Sequence, residues 1–373
     1  MNPPTGYFPF HKDSFINYQL NRWYSLGYTR KEDIARVGAA TKTYGDYVGQ
    51  FIRLAEEAVA QARPQNGAFY YRAAEFLVPP GTGDKVRLYD EFRDLFYIAF
   101  EDERIERHEI PYDSAALPAI RLSPRSDAAK GVLIGFGGFD SFMEEFFWIW
   151  QGFAEAGYEV IAFEGPGQGG ALRKYGLSFD HDWEKPTAAV LDYFNASNAV
   201  LLGISMGGYW SIRAAAFEKR IGTVISFPPV YDWLEMASPL NARLVRALIK
   251  WRNLMNFLVR VKMTNRRLKH IIEHILFISQ RRNPIDAVDW LLGMNKKHLH
   301  SERVDQHVLL LGSENDAFQR PILIRKQQMA LINARSVTAR IFKKEDHADQ
   351  HCAIGNIGLA LHTMIEWLEE VRQ

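Results

Sequence analysis

Between Lys130 and Val230 the chain alternates between short apolar runs and amphipathic stretches. GVLIGFGG (131–138), YEVIAF (158–163), NAVLLGI (198–204) and GTVISF (222–227) are too short for buried helices, and each runs into a glycine, a proline or a Gly-rich loop. EEFFWIWQGFAEAG, WEKPTAAVLDYF and YWSIRAAAFEKR fall between them with helical spacing. A strand that is apolar on both sides must be covered on both faces. Strands of this kind separated by helices therefore predict an α/β fold built on a doubly wound, mostly parallel sheet.

The same reading divides the rest of the chain. Residues 1–103 carry helical periodicity in SFINYQLNRWYSLGY, the long run KEDIARVGAATKTYGDYVGQFIRLAEEAVAQAR and NGAFYYRAAEFLV, which predicts an N-terminal helical domain. RIERHEIPY and LPAIRLS alternate like a pair of strands and open the first part of the core, 104–231. Residues 232–303 read as helices inserted as a lid. The strand pattern resumes in HVLLLGSEND and SVTARIFKKED, and GNIGLALHTMIEWLEEV closes a second core part, 304–373. Ligands of such sheets bind beyond the C-terminal strand ends, so both helical segments are candidate walls of one pocket.

Gly203-Ile204-Ser205-Met206-Gly207 lies where an apolar strand meets a helix. A serine on so sharp a turn projects its hydroxyl above the sheet, and the turn leaves no room for side chains at the flanking glycines. A hydroxyl is a weak nucleophile until a base takes its proton. On this architecture the acid and then the histidine follow on loops after late strands. Asp316 fills the first place, preferred over Glu314 because it sits deeper in the loop. His351 fills the second, preferred over His347, which lies in the charged run KKEDHAD. Asp316 would orient His351 and stabilise its imidazolium. Two backbone N–H groups must face the developing oxyanion. Met206, after the nucleophile, is one candidate donor, and Phe139 in the loop GFGGFDS is the other.

These pieces resemble one group of α/β-hydrolases, the group that contains 2,6-dihydroxypseudooxynicotine hydrolase and the fungal polyketide-shortening hydrolases. GGFDSFMEE, FEGPGQGG, GISMGG, GSENDAF and QHCAIGN carry the likeness. It implies a serine hydrolase with a Ser–His–Asp triad whose N-terminal helices cover the site. It further implies cleavage of a carbon–carbon bond next to a ketone, in a β-diketone or acyl-phenol metabolite of polyketide or aromatic type. Carboxylester or amide and peptide hydrolysis are the alternative on the same fold. A catalytically silent binding protein is the alternative of another class. The likeness also implies an accessory acid shortly after the strand that follows the elbow helix, where Asp232 and Glu235 are both candidates. A homodimer through the N-terminal helices is implied by the family alone.

Other features carry less. His270-Ile271-Ile272-Glu273-His274 fits an inverted zinc-protease pattern but lacks a third ligand context, so no metal and no cofactor is expected. The stretch from Arg243 to Arg282 holds eleven Lys and Arg against one acid, Glu273; it reads as a solvated face, or as a cationic lid that favours an acidic or phenolate substrate or contacts a partner or a membrane surface. Gly165–Gly170 lacks the Lys-Ser/Thr of a phosphate loop and reads as support for the site. Trp23, Tyr24, Tyr44, Tyr47 and Phe51 are candidates for pocket walls or for plain core. The 13% aromatic content suits either.

Charge and composition exclude some partners. Forty-five Lys+Arg against 44 Asp+Glu give no global field for nucleic acid or an anionic membrane. No apolar stretch reaches the ~18–20 residues of a spanning helix, and MNPPTGYFPFHKD does not resemble a leader. The single cysteine, Cys352, points to a reducing compartment. The expectation is a cytoplasmic protein acting on a small molecule, with neither nucleic acid nor membrane as partner.

Overall fold

The computed structural model describes residues 3–126, 128–236 and 239–372. Five helices come first: α1 (Ser14–Ser25), α2 (Lys31–Ala40), α3 (Tyr44–Ala60), α4 (Pro64–Leu77) and α5 (Gly83–Ala99). Local signals set their starts. Asp13 caps α1 through the N–H groups of Phe15 and Ile16, and Pro64 occupies the first turn of α4. The long helical run read over 31–63 is two helices. Thr43 and Asp46 form a capping box that starts α3, and the preceding Thr41 is extended and ends α2.

The sheet has eight strands: β1 (Glu106–Tyr112), β2 (Ala115–Leu122), β3 (Val132–Phe136), β4 (Glu159–Phe163), β5 (Ala199–Ile204), β6 (Ile221–Phe227), β7 (His307–Ser313) and β8 (Ser336–Phe342). Their order is β1-β2-β4-β3-β5-β6-β7-β8. β1–β2 is an antiparallel hairpin, β2 runs antiparallel to β4, and the other pairings are parallel. The helices between strands are α6 (Phe147–Glu155), α7 (Gly169–Arg173), α8 (Glu184–Tyr193) and α9 (Gly207–Phe217). After β6 come α10 (Pro239–Leu248), α11 (Arg252–Lys262), α12 (Arg266–Ile278), α13 (Pro284–Gly293) and α14 (Lys296–Leu299). α15 (Ile322–Ala330) and α16 (Ile357–Arg372) complete the chain.

Strand residues alternate between two cores. Leu133, Val160, Leu202 and Leu309 join the N-terminal helices, α6 and α16 in one. Ile134, Ile161, Leu201 and Leu310 join α8, α9 and the helices after β6 in the other. This is the burial on both faces that the continuous apolar runs require. Among the described residues no helix is long and apolar enough to cross a membrane.

Candidate active site

β5 ends at Ile204, and α9 begins three residues later at Gly207. Ser205 between them takes the left-handed conformation, φ 61°. Such a kink costs strain for any residue but glycine and is kept where the surroundings hold it. The packing explains the glycines: a Cβ on Gly203 would lie 1.9 Å from the Gly207 carbonyl oxygen. At the kink Ser205 Oγ lies 2.9 Å from His351 Nε2.

His351 and Asp316 come from the loops after β8 and β7. His351 Nδ1 lies 2.7 Å from Asp316 Oδ2. The other Asp316 oxygen accepts the N–H groups of Phe318 and Gln319, at 2.7 and 2.8 Å, so the carboxylate is fixed in direction. Burial disfavours charge on His351, but Asp316, with Cys352 adding, outweighs it and the imidazole is pushed up to about 10. The competing residues face elsewhere. Glu314 is exposed and accepts the Lys344 N–H, and His347 is exposed.

The N–H groups of Phe139 and Met206, the candidate oxyanion donors, take no acceptor among the described residues. Gly138 separates them: a Cβ there would lie 2.6 Å from the Met206 nitrogen and 2.8 Å from Ser205 Cβ. The loop is held from below. Gln168 Nε2 donates to the carbonyls of Gly137 and Gly138 at 2.9 Å each, which gives Gly165–Gly170 its supporting part. Asp140, with φ 44°, is the hub. Its carbonyl accepts Arg72 Nη2 at 2.6 Å, and its buried carboxylate meets Arg173 at 2.9 Å, His274 at 3.3 Å and Lys85 at 3.5 Å. Burial works against the Asp140 charge, but the Arg173 and Lys85 cations, with the His274 hydrogen bond adding, hold its pKa well below the usual carboxylate range. Residue spacing gives no sign of this hub, because its cations come from helices 55 to 68 residues earlier and from α7.

A cavity of ≈ 310 Å³ opens over Ser205 and His351. α1 turns Phe15, Tyr18, Gln19, Arg22 and Leu26 toward it, a stripe at helical spacing that sequence reading passed over. The five aromatics open to either role in the sequence, Trp23, Tyr24, Tyr44, Tyr47 and Phe51, do not line it. Trp23 and Tyr47 are buried together, Nε1 donating to the hydroxyl at 2.9 Å, Phe51 packs on Tyr47, and Tyr24 packs on Phe8 and Phe10. Tyr44 stays behind Phe15 and His270.

α12 closes the other side with Arg267, His270, Ile271 and Ile275. Of the eleven basic residues counted over 243–282, Arg267 alone lines the cavity, between the rings of Phe15 and Phe318. Burial, with His274 and Lys85 nearby, holds His270 well below the ordinary imidazole pKa, so it lines the wall as a neutral group. His274 lies 3.0 Å from the Lys85 ammonium, and Glu273 pairs with Lys269. Within H-x-x-E-H, His274 and Glu273 thus meet Lys85 and Lys269, while His270 makes only ring contacts among the described residues.

Neither acid candidate is brought to the cavity. Asp232 caps the turn at Leu234 (2.9 Å), and Glu235 is paired to Lys296 (2.7 Å) and to Lys326. Trp233, between them in sequence, lines the cavity. Cys352 lines the wall beside His351.

Residues 132–351 match the alpha/beta hydrolase family. Among curated proteins the chain is 34% identical over 185 residues to hydrolyase poxO of Penicillium oxalicum, covering 44% of each chain. It is 34% identical over 201 residues to hydrolase acrC of Aspergillus aculeatus, covering 45% of this chain and 46% of that one. These matches span less than half of the relatives' length. Hydrolase LUC6 of a Fusarium species is 26% identical over 93% of this chain and 87% of its own. The crystal structure of 2,6-dihydroxy-pseudo-oxynicotine hydrolase superposes with TM-score 0.66 at 20% identity, over 93% of this chain and 94% of that one. At that identity the likeness is one of fold.

Proposed function

From a chain that belongs to the alpha/beta hydrolase family, we propose a serine hydrolase in which Ser205 is the nucleophile, His351 the base and Asp316 its orienter. The observation that carries the reading is the relay of 2.9 and 2.7 Å from Ser205 through His351 to Asp316, beside the free N–H groups of Phe139 and Met206. The favoured bond is carbon–carbon, next to a ketone, in a β-diketone or acyl-phenol of polyketide or aromatic type. The motif likeness and the aromatic, mostly apolar cavity support that choice.

Ser205 Oγ bonds to the ketone carbon as His351 takes its proton, and the oxyanion rests on the two N–H groups. Collapse restores the carbonyl and breaks the carbon–carbon bond. The electron pair leaves with the departing carbon, which takes the proton from His351. That carbon must be flanked by a carbonyl or a hydroxylated ring, because an unstabilised carbanion is too basic to leave. Water, deprotonated by His351, then cleaves the acyl-enzyme and returns Ser205.

A fluorophosphonate should label the wild type and not Ser205→Ala; an unlabelled wild type overturns the hydrolase reading in favour of a binding protein. Turnover of β-diketones and ortho-hydroxyaryl ketones, set against simple esters and aminoacyl anilides, decides the bond. Hydrolysis of the esters or anilides alone moves the assignment to esterase or amidase. His351→Ala should lower kcat by about 10⁴ or more, and His347→Ala should leave it nearly unchanged. The reverse pattern overturns the choice of base.

A further inference from the structure

We propose that α10 and α11 form a docking surface for an anionic lipid bilayer. The balanced net charge and the lack of a spanning stretch argue against a membrane partner for the chain as a whole, while the basic run after β6 leaves a membrane-surface contact open. A helix lying in the interface needs no such length.

Each of the two helices has three distinct faces. In α10, Ala242, Val245 and Ile249 turn inward, while Leu240, Leu244, Ala247 and the following Trp251, at spacings of four, three and four, stand exposed. Arg243, Arg246 and Lys250 flank that stripe. In α11, Met255 and Val259 are buried, and Leu254, Phe257 and Val261 line the outer face between Arg260 and Lys262. Leu240 is 75% exposed, Trp251 68% and Phe257 62%. Single exposed apolar residues are ordinary on a soluble surface, but a row of them at helical spacing on each of two successive helices marks an interaction face.

Charge selects the occupant. From 236 to 272 the sequence holds nine Lys and Arg and no acid. Arg243, Arg246, Lys250, Arg260 and Lys262 have no carboxylate within 4.0 Å among the described residues. A second copy laid on this face would bring like charges together. An anionic leaflet supplies the opposite charge over a whole plane and an apolar layer for Trp251 and Phe257. α11 leads within three residues into α12, which walls the cavity. The docked surface would therefore bring the cavity close to a lipid phase in which apolar compounds dissolve. That consequence rests on the hydrolase reading; the docking does not.

Vesicles of about three parts phosphatidylcholine to one part phosphatidylserine should sediment the full chain and shift its tryptophan emission to the blue, a shift that Trp251→Ser should reduce. Pure phosphatidylcholine should bind at least about tenfold more weakly, and added salt should release the protein. Trp251→Ser with Phe257→Ser, and separately Arg243→Glu with Lys250→Glu, should each weaken binding about tenfold or more. Both should retain wild-type fluorophosphonate labelling, which certifies the fold. Three outcomes overturn the proposal: no binding to the anionic vesicles, binding unaltered by both pairs of substitutions, or a dimer in sedimentation that Trp251→Ser with Phe257→Ser dissolves. An unlabelled wild type that still binds vesicles overturns the hydrolase reading and leaves the docking intact.

Discussion

The two helical covers of the cavity are built on opposite principles. The N-terminal helices share the core of the sheet, and they reach the candidate oxyanion loop through buried ions. Arg72 meets Glu145 at 2.7 Å and also pairs with Glu75; Lys85 meets Glu75 at 3.1 Å, and Arg22 pairs with Glu145. Arg72 also lies 3.7 Å over the Phe142 ring. Charges out of water keep their strength only when every partner is in place. The helices after β6 contribute α12 and α13 to the other core, but α10 and α11 leave an apolar stripe in solvent. A cover can therefore be part of the site's framework or be attached to it, and the difference should appear in stability before it appears in chemistry.

The sharpest break would come from Arg72→Ala, which leaves Glu145 to Arg22, Glu75 to Lys85 and Arg173, and the Asp140 carbonyl without its donor. We expect a loss of about 3–5 kcal/mol in denaturant unfolding, with part of it recovered by adding Glu145→Gln. A loss under about 1 kcal/mol would make the two covers alike. Gly138→Ala acts on the loop that the first cover holds, because its methyl would press on the Met206 amide. It should lower kcat about 10²–10³-fold and, because the methyl also meets the Ile204 carbonyl at 2.9 Å, cost about 1–3 kcal/mol in stability, read by steady-state kinetics and melting together.

The buried network should also leave a pH signature. Burial, with the Glu144 carboxylate nearby, pushes Glu164 up to about 8. The folded chain thus binds more protons than the unfolded chain between the ordinary carboxylate pKa and about 8. Through that window this group's contribution to stability falls as pH rises, by at most about 1.4 kcal/mol per pH unit. The melting temperature of Glu164→Gln should gain on the wild type as pH climbs across the window; a constant difference would contradict the burial argument. The smallest effect is expected from Trp251→Ser on the second cover, within about 0.5 kcal/mol. A larger loss would show that the exposed stripe supports the fold.

Much of this arrangement was legible in residue order, and the part that was not follows a rule. β3 to β6 were read from apolar runs, and the Ser205 kink was read from Gly203 and Gly207. Asp316 and His351 were placed because each lies in a loop after a late strand of a parallel sheet, where all such loops open on the same edge. By contrast, Asp232 and Glu235 fell in the expected window yet turn toward Leu234, Lys296 and Lys326. Trp23, Tyr47 and Phe51, open in the sequence to pocket or core, fill the core, while Tyr18 and Arg22, on the same helix as Trp23, face the cavity. The break between α2 and α3 was present in Thr43 and Asp46 and was overridden by the apolar spacing around them.

What this sequence determined by itself is therefore local and periodic: the strands and helices, the backbone kink that lifts one hydroxyl, and the order of the groups that follow it. Those properties depend on neighbours a few residues away and on the two faces of a strand. Tertiary structure decided which side of each covering helix meets the cavity, where Lys85, Arg72, Arg173 and His274 converge on Asp140, and which apolar stripe stays in water. These outcomes depend on the angles at which distant helices pack, and no spacing along one chain records them.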